Sequence, residues 1–340
     1  MKEDRYSRQT LFHPIGTEGQ KLIRNKHVLL IGAGALGTGN AEALVRAGIG
    51  KLTVVDRDYV EWSNLQRQQL YNEEDARNRI PKAVAAKKRL QAINSTVKIE
   101  GHILDAMPEE MLKLAKSVDL IIDATDNFDT RMIINDISQK YSIPWIYGAC
   151  VGSYGISFTI LPGITPCLQC LIDTVPMGGM TCDTAGIISP AVSTVVAYQT
   201  TEALKILVED MEALGNKVVS FDLWKNEHTS LDVSKLKRDE CLSCGEHHTF
   251  PGLKYENQTK TAVLCGRDSV QIRPAVKQDV NLLERSKSLE LQGKQVDRNP
   301  YLISFEVESY RIVLFRDGRT LIHGTKDIRK AKSVYHRYLG

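Results

Sequence analysis

The sequence predicts an α/β protein: a doubly wound, mostly parallel sheet followed by a small C-terminal α+β module. Three observations predict it. Short Val- and Ile-rich runs at 27–32 (HVLLIG), 51–56 (KLTVVD), 97–103 (VKIEGHI), 119–125 (DLIIDAT) and 144–149 (PWIYGA) are bounded by turn signals, as buried strands are. Helical stretches at 35–47, 81–92 and 128–141 separate several of them. After about residue 255 the rhythm changes to short strands and a closing helix.

Each element has a local reason. Pro81 suits a first helical turn, and Asn127 is a possible N-cap for the helix that follows it. Strand, helix, strand repeated in this way argues for parallel pairing through crossovers. Runs 153–163 and 217–223 read as later strands, and 190–210 as one long helix opened by Pro190. The connection between Pro162 and Ser189 is long, which in a compact domain usually signals function. Residues 1–250 form the expected main domain, and the polar stretch after Cys244 reads as a linker. In the module at 255–340, strands AVLC, SVQIRP, YLISFEV and YRIVLF precede an Asp317-Gly318 hairpin into RTLIHG, then the helix DIRKAKSVYHRY.

The 340 residues carry 44 basic and 41 acidic side chains, net +3, so charge alone nominates neither nucleic acid nor membrane as a partner. The start MKEDRYSRQT lacks the apolar core of a secretory signal, and no run is long enough to span a membrane; the expectation is a cytoplasmic protein.

GAGALG sets Gly32, Gly34 and Gly37 in G-x-G-x-x-G spacing after a strand and at the start of a helix. Two glycines let the backbone approach phosphate oxygens, the third lets helix pack on strand, and the helix N-terminus offers free N–H groups to an anion. Asp56 ends the next strand, where a carboxylate accepts from ribose hydroxyls. Together they predict a Rossmann-like adenine-nucleotide site without distinguishing NAD, FAD and ATP.

The next loop, DYVEWSNLQRQQL (58–70), is out of place in a dehydrogenase. An enzyme that breaks a phosphoanhydride needs cations where charge grows on departing pyrophosphate. Arg67, Lys82 and Arg8 are candidates for that task, while Asn64 and Gln68 are placed to hydrogen-bond the nucleotide or its triphosphate. Asp126 ends a strand at the ligand-binding edge of the sheet, and its carboxylate suits Mg²⁺; Asp123 should point to the other face. Taken singly, each has a plainer reading: a lone Arg or Lys is usually solvated, and Asp126 with Asn127 can simply cap a helix.

Of seven cysteines, four form two C-x-x-C pairs, Cys167/Cys170 and Cys241/Cys244, the ligand spacing of a closed, structural Zn²⁺ site. Two redox disulfides are the alternative, without a thioredoxin-like context to support it. His247 and His248 read as exposed linker residues, and Cys150 and Cys265 as buried packing; the residues after Cys265 lack the spacing of a rhodanese loop.

RYSRQ, GAGALG, VVDRDYVEWSNLQRQ, IPKA and DATDN, with the cysteine pairs, resemble the ThiF/MoeB/HesA family, relatives of the ubiquitin-activating enzymes, over about residues 5–245. The resemblance implies ATP-dependent adenylation of the C-terminal glycine of a ubiquitin-fold sulfur carrier protein ending in Gly-Gly, with release of pyrophosphate. It implies that Asp56 binds ribose, that Asn64, Arg67, Gln68 and Lys82 meet the phosphates, that Asp126 holds Mg²⁺, and that Arg8 reaches across a homodimer. Unpaired Cys182 matches the catalytic cysteine of ubiquitin-activating enzymes and is a candidate for direct chemistry. A ThiS-like carrier for thiazole (thiamine) synthesis is the expected substrate, with a MoaD-like carrier for molybdopterin as the alternative. An NAD(P)-dependent dehydrogenase would leave Arg67 and Lys82 unexplained, and a binding module without activity would not need them. The role of the C-terminal module is expected to be carrier docking or dimer support.

Overall fold

The computed structural model describes residues 4–172, 185–254, 261–264, 268–273 and 278–339. The main sheet has eight strands: β1 (His27–Ile31), β2 (Lys51–Asp56), β3 (Lys98–Ile103), β4 (Leu120–Asp123), β5 (Trp145–Val151), β6 (Tyr154–Ile160), β7 (Lys217–Asp222) and β8 (Glu227–Asp232). Their order is β3-β2-β1-β4-β5-β6-β7-β8. The first five pair in parallel and the last three join antiparallel. The chain reverses its winding between β1 and β4, and that reversal opens a crevice at the strands' carboxyl ends.

β1 is buried along its whole length, which accounts for the apolar run Val28–Ile31. One face of the sheet is covered by helices Ala35–Ala47, Lys82–Ile93 and Ser189–Leu207 with a core around Leu30, Leu52 and Leu207. The other is covered by helices Pro108–Leu114 and Phe128–Tyr141 with a core around Leu29, Ile121 and Trp145. Asn127 caps the latter helix by accepting from the Thr130 N–H at 2.9 Å.

Edge strand β8 is missing from the sequence reading. All six of its residues are exposed and polar-rich, so it has no alternation to read. Helix Gly16–Asn25 is likewise unforeseen; it buries only Gly19, Gln20 and Ile23. Among the described residues no helix is long and apolar enough to cross a membrane.

A second, six-stranded antiparallel sheet is built from β9 (Thr261–Leu264), β10 (Ser269–Ile272), β11 (Val296–Arg298), β12 (Leu302–Val307), β13 (Tyr310–Phe315) and β14 (Thr320–His323). The β13–β14 hairpin turns at Asp317-Gly318, and Gly318 has φ +82°. Helices Leu282–Leu291 and Ile328–Tyr338 cover one face; the first of them, like the short β11, is not apparent in the sequence pattern. The expected linker after Cys244 is anchored rather than free as far as Lys254: the Gly252 N–H donates to Asp136 at 2.7 Å.

The two sheets meet at Asp105. Its carboxylate accepts from Gln271 at 2.8 Å and from Arg273, both of the second sheet, and faces Arg57 at 3.4 Å. Burial alone would raise this carboxyl, but Arg57, Arg273 and Arg319 hold it down at about 2. A folded value below the ordinary one stabilises the fold above about pH 4 and loses that contribution as pH falls towards 2, an effect of about 2 kcal/mol. The urea stability of wild type should therefore exceed that of Asp105→Asn at neutral pH, with the gap narrowing across that acid window. A gap independent of pH would refute the ionic role.

Candidate functional site

The crevice is built from three loops. The first follows β1, where Gly32 takes φ +94°, and any Cβ there would strike the Ala124 carbonyl after β4. A Cβ on Gly37 would strike the Gly32 carbonyl, so both glycines serve the close meeting of loop, helix and strand. Gly34 is different. Among the described residues a Cβ there would meet only Gln68 Nε2, at 4.0 Å, so no neighbour among them excludes a side chain. The space it leaves lies at the uncapped N-terminus of the 13-residue helix Ala35–Ala47, where N–H groups face outward.

Asp56 ends β2 and ties the first loop to the second. Its Oδ2 accepts from the Ala33 N–H at 2.6 Å and its Oδ1 from the Asp58 N–H at 2.7 Å. Burial pushes its carboxyl above the ordinary value; Lys82 opposes that, and Asp58 reinforces it. Lys82, buried, opens its helix and stands 3.6 Å from Asp58, while its backbone N–H donates to the Asp58 carbonyl at 2.9 Å. Tyr71 braces the arrangement, donating to the Ala33 carbonyl at 2.6 Å.

The second loop carries the short helix Trp62–Asn64. Buried Asn64 accepts from the Glu61 N–H at 3.1 Å, and its carbonyl receives the Arg67 and Gln68 N–H groups. Gln68 is buried with an Oε1 that has no hydrogen-bond partner among the described residues. An orphaned polar atom beside an open glycine is what a polar ligand would complete. Half-buried Arg67 donates to the Ser63 carbonyl at 2.8 Å.

The third loop follows β4. Asp123 turns inward, fully buried, and pairs with Arg131 at 3.0 Å, as strand alternation requires. Arg131 also donates to the Thr125 carbonyl at 2.8 Å and the Gly148 carbonyl at 3.3 Å, so it fastens the loop that presents Asp126. Burial disfavours the Arg131 charge, but Asp123 holds its guanidinium above the ordinary value. Asp126 itself is exposed. It acts electrostatically on Arg57: burial alone would lower that guanidinium, and Asp105, Asp58, Asp126 and Asp56 together raise it.

Thus Gly32, Gly34, Gly37, Asp56, Asn64, Gln68 and Lys82 belong to one end of the sheet, with Asp126 on the neighbouring loop. Arg8 does not join them within the chain. Its helix, Ser7–Thr10, is fastened by Gln9 to the Ala47 carbonyl at 3.0 Å, the far end of helix Ala35–Ala47, about 18 Å from the glycine loop by helical rise. Arg57, Tyr71 and Arg131 are site residues absent from the sequence reading. Cys182 and Cys265 lie outside the described residues, and Cys150 is half-buried.

Away from the crevice, the four paired cysteines converge. Their sulfurs all lie within 4.8 Å of one another, with Cys167–Cys241 at 3.6 Å, Cys170–Cys244 at 3.5 Å and Cys167–Cys170 at 3.9 Å. Disulfides would need about 2.05 Å. A tetrahedral ion with bonds of about 2.3 Å separates its sulfurs by about 3.8 Å, so the set fits a four-thiolate metal site. Asn135 holds one knuckle by accepting from the Leu168 N–H at 2.8 Å, and Arg238 joins the two by donating to the Gln169 carbonyl at 2.9 Å. His247 and His248 are exposed.

Comparison with known proteins defines the class. The ThiF family pattern matches residues 6–243. The chain is 55% identical to the sulfur carrier protein ThiS adenylyltransferase of Bacillus subtilis (strain 168), over 99% of each chain. It is 35% identical to the sulfur carrier protein adenylyltransferase of Thermus thermophilus, over 72% of this chain and 92% of that one. The crystal structure of E. coli MccB with ATP superposes with a TM-score of 0.62 at 22% identity, covering 71% of this chain and 74% of that one, a likeness of fold. The chain belongs to the ThiF family. It is an enzyme of the adenylyltransferase class.

Removing one member of a buried ion pair strands the other. Arg131→Met should lower unfolding stability by about 3–5 kcal/mol in urea titration. A loss under about 1 kcal/mol, as for exposed pairs, would refute the bracing role given to this pair.

Proposed function

We propose that this adenylyltransferase uses ATP to adenylate the C-terminal glycine of a ubiquitin-fold sulfur carrier protein ending in Gly-Gly, releasing pyrophosphate. The observation that carries the reading is the 55% identity, along essentially the whole of both chains, with an adenylyltransferase named for the carrier ThiS. We further infer that the carrier is ThiS-like and serves thiazole formation.

The residues suit that chemistry. The nucleophile is a carboxylate, ionised at neutral pH, so no general base is required. It attacks the α-phosphorus, the bond to the bridging oxygen breaks, and the electron pair leaves with pyrophosphate. Catalysis then rests on alignment and on charge placed where the leaving group forms. Asp56 would receive the ribose hydroxyls, the Gly34 backbone and the following helix N-terminus would approach the phosphates, and Asn64 and Gln68 would orient them. Lys82 and Arg67 would meet the growing negative charge. Lys82 stands against Asp58 at 3.6 Å, looser than a close ion pair, and is available for exchange onto phosphate. Asp126 would hold Mg²⁺, which when bound neutralises phosphate charge. Arg8, held beside the far end of helix Ala35–Ala47, would act in a partner's crevice rather than its own, which calls for a homodimer. The four cysteines would hold a structural Zn²⁺.

ATP–pyrophosphate exchange with purified carriers tests the reading. Exchange is expected with a ThiS-like carrier, and exchange with a MoaD-like carrier alone would overturn the pathway. Asp126→Ala should abolish exchange with little change in melting temperature, since the side chain is exposed; undiminished exchange would remove Asp126 from the metal's shell. Metal analysis should find stoichiometric zinc, lost in Cys170→Ser together with several degrees of melting temperature. A zinc-free protein of unchanged stability would reject the site.

A further inference from the structure

The second sheet lies beyond the residues matched by the family pattern, and it and its connections reach the 57–61 and 78–79 segments beside the crevice. Tyr59, three residues after Asp56, is fully buried among Leu302, Val313, Phe315 and Leu321 of that sheet. Its hydroxyl meets His323 Nε2 at 3.2 Å and receives Arg311 at 3.2 Å. Arg311 also donates to Glu61 at 3.1 Å, and Arg319 donates to the Arg57 carbonyl at 2.8 Å. The loop from Arg57 to Glu61 is therefore held at both ends and in its middle.

The segment leading to Lys82 is held from the same side. Asn299 donates to the Asn78 carbonyl at 3.1 Å and the Arg79 carbonyl at 3.2 Å, and Arg79 pairs with Asp297 at 2.8 Å. These two segments bridge to each other at Tyr59 and Pro81, and that bridge sets Asp58 beside Lys82. We propose that the C-terminal module is a clamp for the nucleotide: it positions the 57–61 and 78–82 segments, and through them Asp56 and Lys82, for ATP. Tyr59 and Arg311 are its positioning residues. This assigns the module to the nucleotide rather than to carrier docking, and it rests on the adenylation reading above.

Isolated loops of this kind sample many conformations, and a ligand that needs one of them loses affinity in proportion to its population. Holding both segments in place removes that loss for ground state and transition state alike, which is expressed in KM rather than kcat.

The experiment uses the full chain with Tyr59→Phe, which keeps the buried ring and removes only its hydroxyl, and with Arg311→Met. Calorimetric titration with the non-hydrolysable analogue AMPCPP and Mg²⁺ should give binding weakened about three- to tenfold in each, the size of one or two positioning hydrogen bonds. Melting temperatures should remain within a few degrees. In carrier-dependent exchange the KM for ATP should rise by a similar factor while kcat and the KM for carrier hold. Folded variants that bind AMPCPP like wild type would overturn the clamp, as would a rise confined to the carrier's KM, which is the signature of docking. Wild-type protein without carrier-dependent exchange would reject the adenylation reading instead, leaving AMPCPP affinity to judge the clamp by itself.

Discussion

The carboxylate of Asp56 is the constraint around which the crevice is organised. Strands β1 and β2 both end where the chain must turn, and each turn leaves an N–H pointing into protein. Asp56 takes both, Ala33 at 2.6 Å and Asp58 at 2.7 Å, so that one side chain locks two loops together. Hydrogen bonds to an ionised acceptor are among the stronger ones, and a buried N–H left unpaired costs about 1–3 kcal/mol. The 57–61 loop therefore starts from a fixed point, because Asp58 is tied to the end of its own strand by one of this pair of hydrogen bonds.

The arrangement keeps an unusual number of charges in little space. Asp56, Asp58 and Asp126 face Arg57 and Lys82, with Asp105 behind them and Asp123 paired to Arg131 on the next loop. Burial opposes the charges of Asp56, Arg57, Asp105, Asp123 and Arg131, and neighbours of opposite sign offset that cost. A polyanion entering with its cation would exchange partners within a set already oriented, which is the economy of preorganised electrostatics. The second sheet contributes to the same balance through Arg273 and Arg319 at Asp105.

Much of this was legible along the chain because the physics is local. A glycine pattern between strand and helix, an acid at a strand end and cysteines at ligand spacing each report a backbone demand within a few residues. The fold class was legible for the same reason: buried parallel strands are apolar along most of their length. Arg57, Tyr71 and Arg131 are not legible in the sequence because each acts on groups distant in sequence or resembles an ordinary side chain in its own segment. Arg131 reads as one basic residue on a helix, yet it reaches Asp123, Thr125 and Gly148 across two strands. Edge strand β8 was illegible for a different reason, since an exposed strand carries no burial pattern.

The sequence by itself determined the doubly wound sheet, the family and the inventory of polar groups near the crevice loops, since those follow from periodicity and short-range spacing. Tertiary structure alone decided contacts that no local pattern reports: Gln68 beside Gly34, Arg131 on Asp123, and the Arg8 helix beside the far end of helix Ala35–Ala47. It also decided that the last strands grip Tyr59. The reason is that such contacts join segments separated by tens to hundreds of residues, and their geometry exists only once the sheet has set the order of its strands.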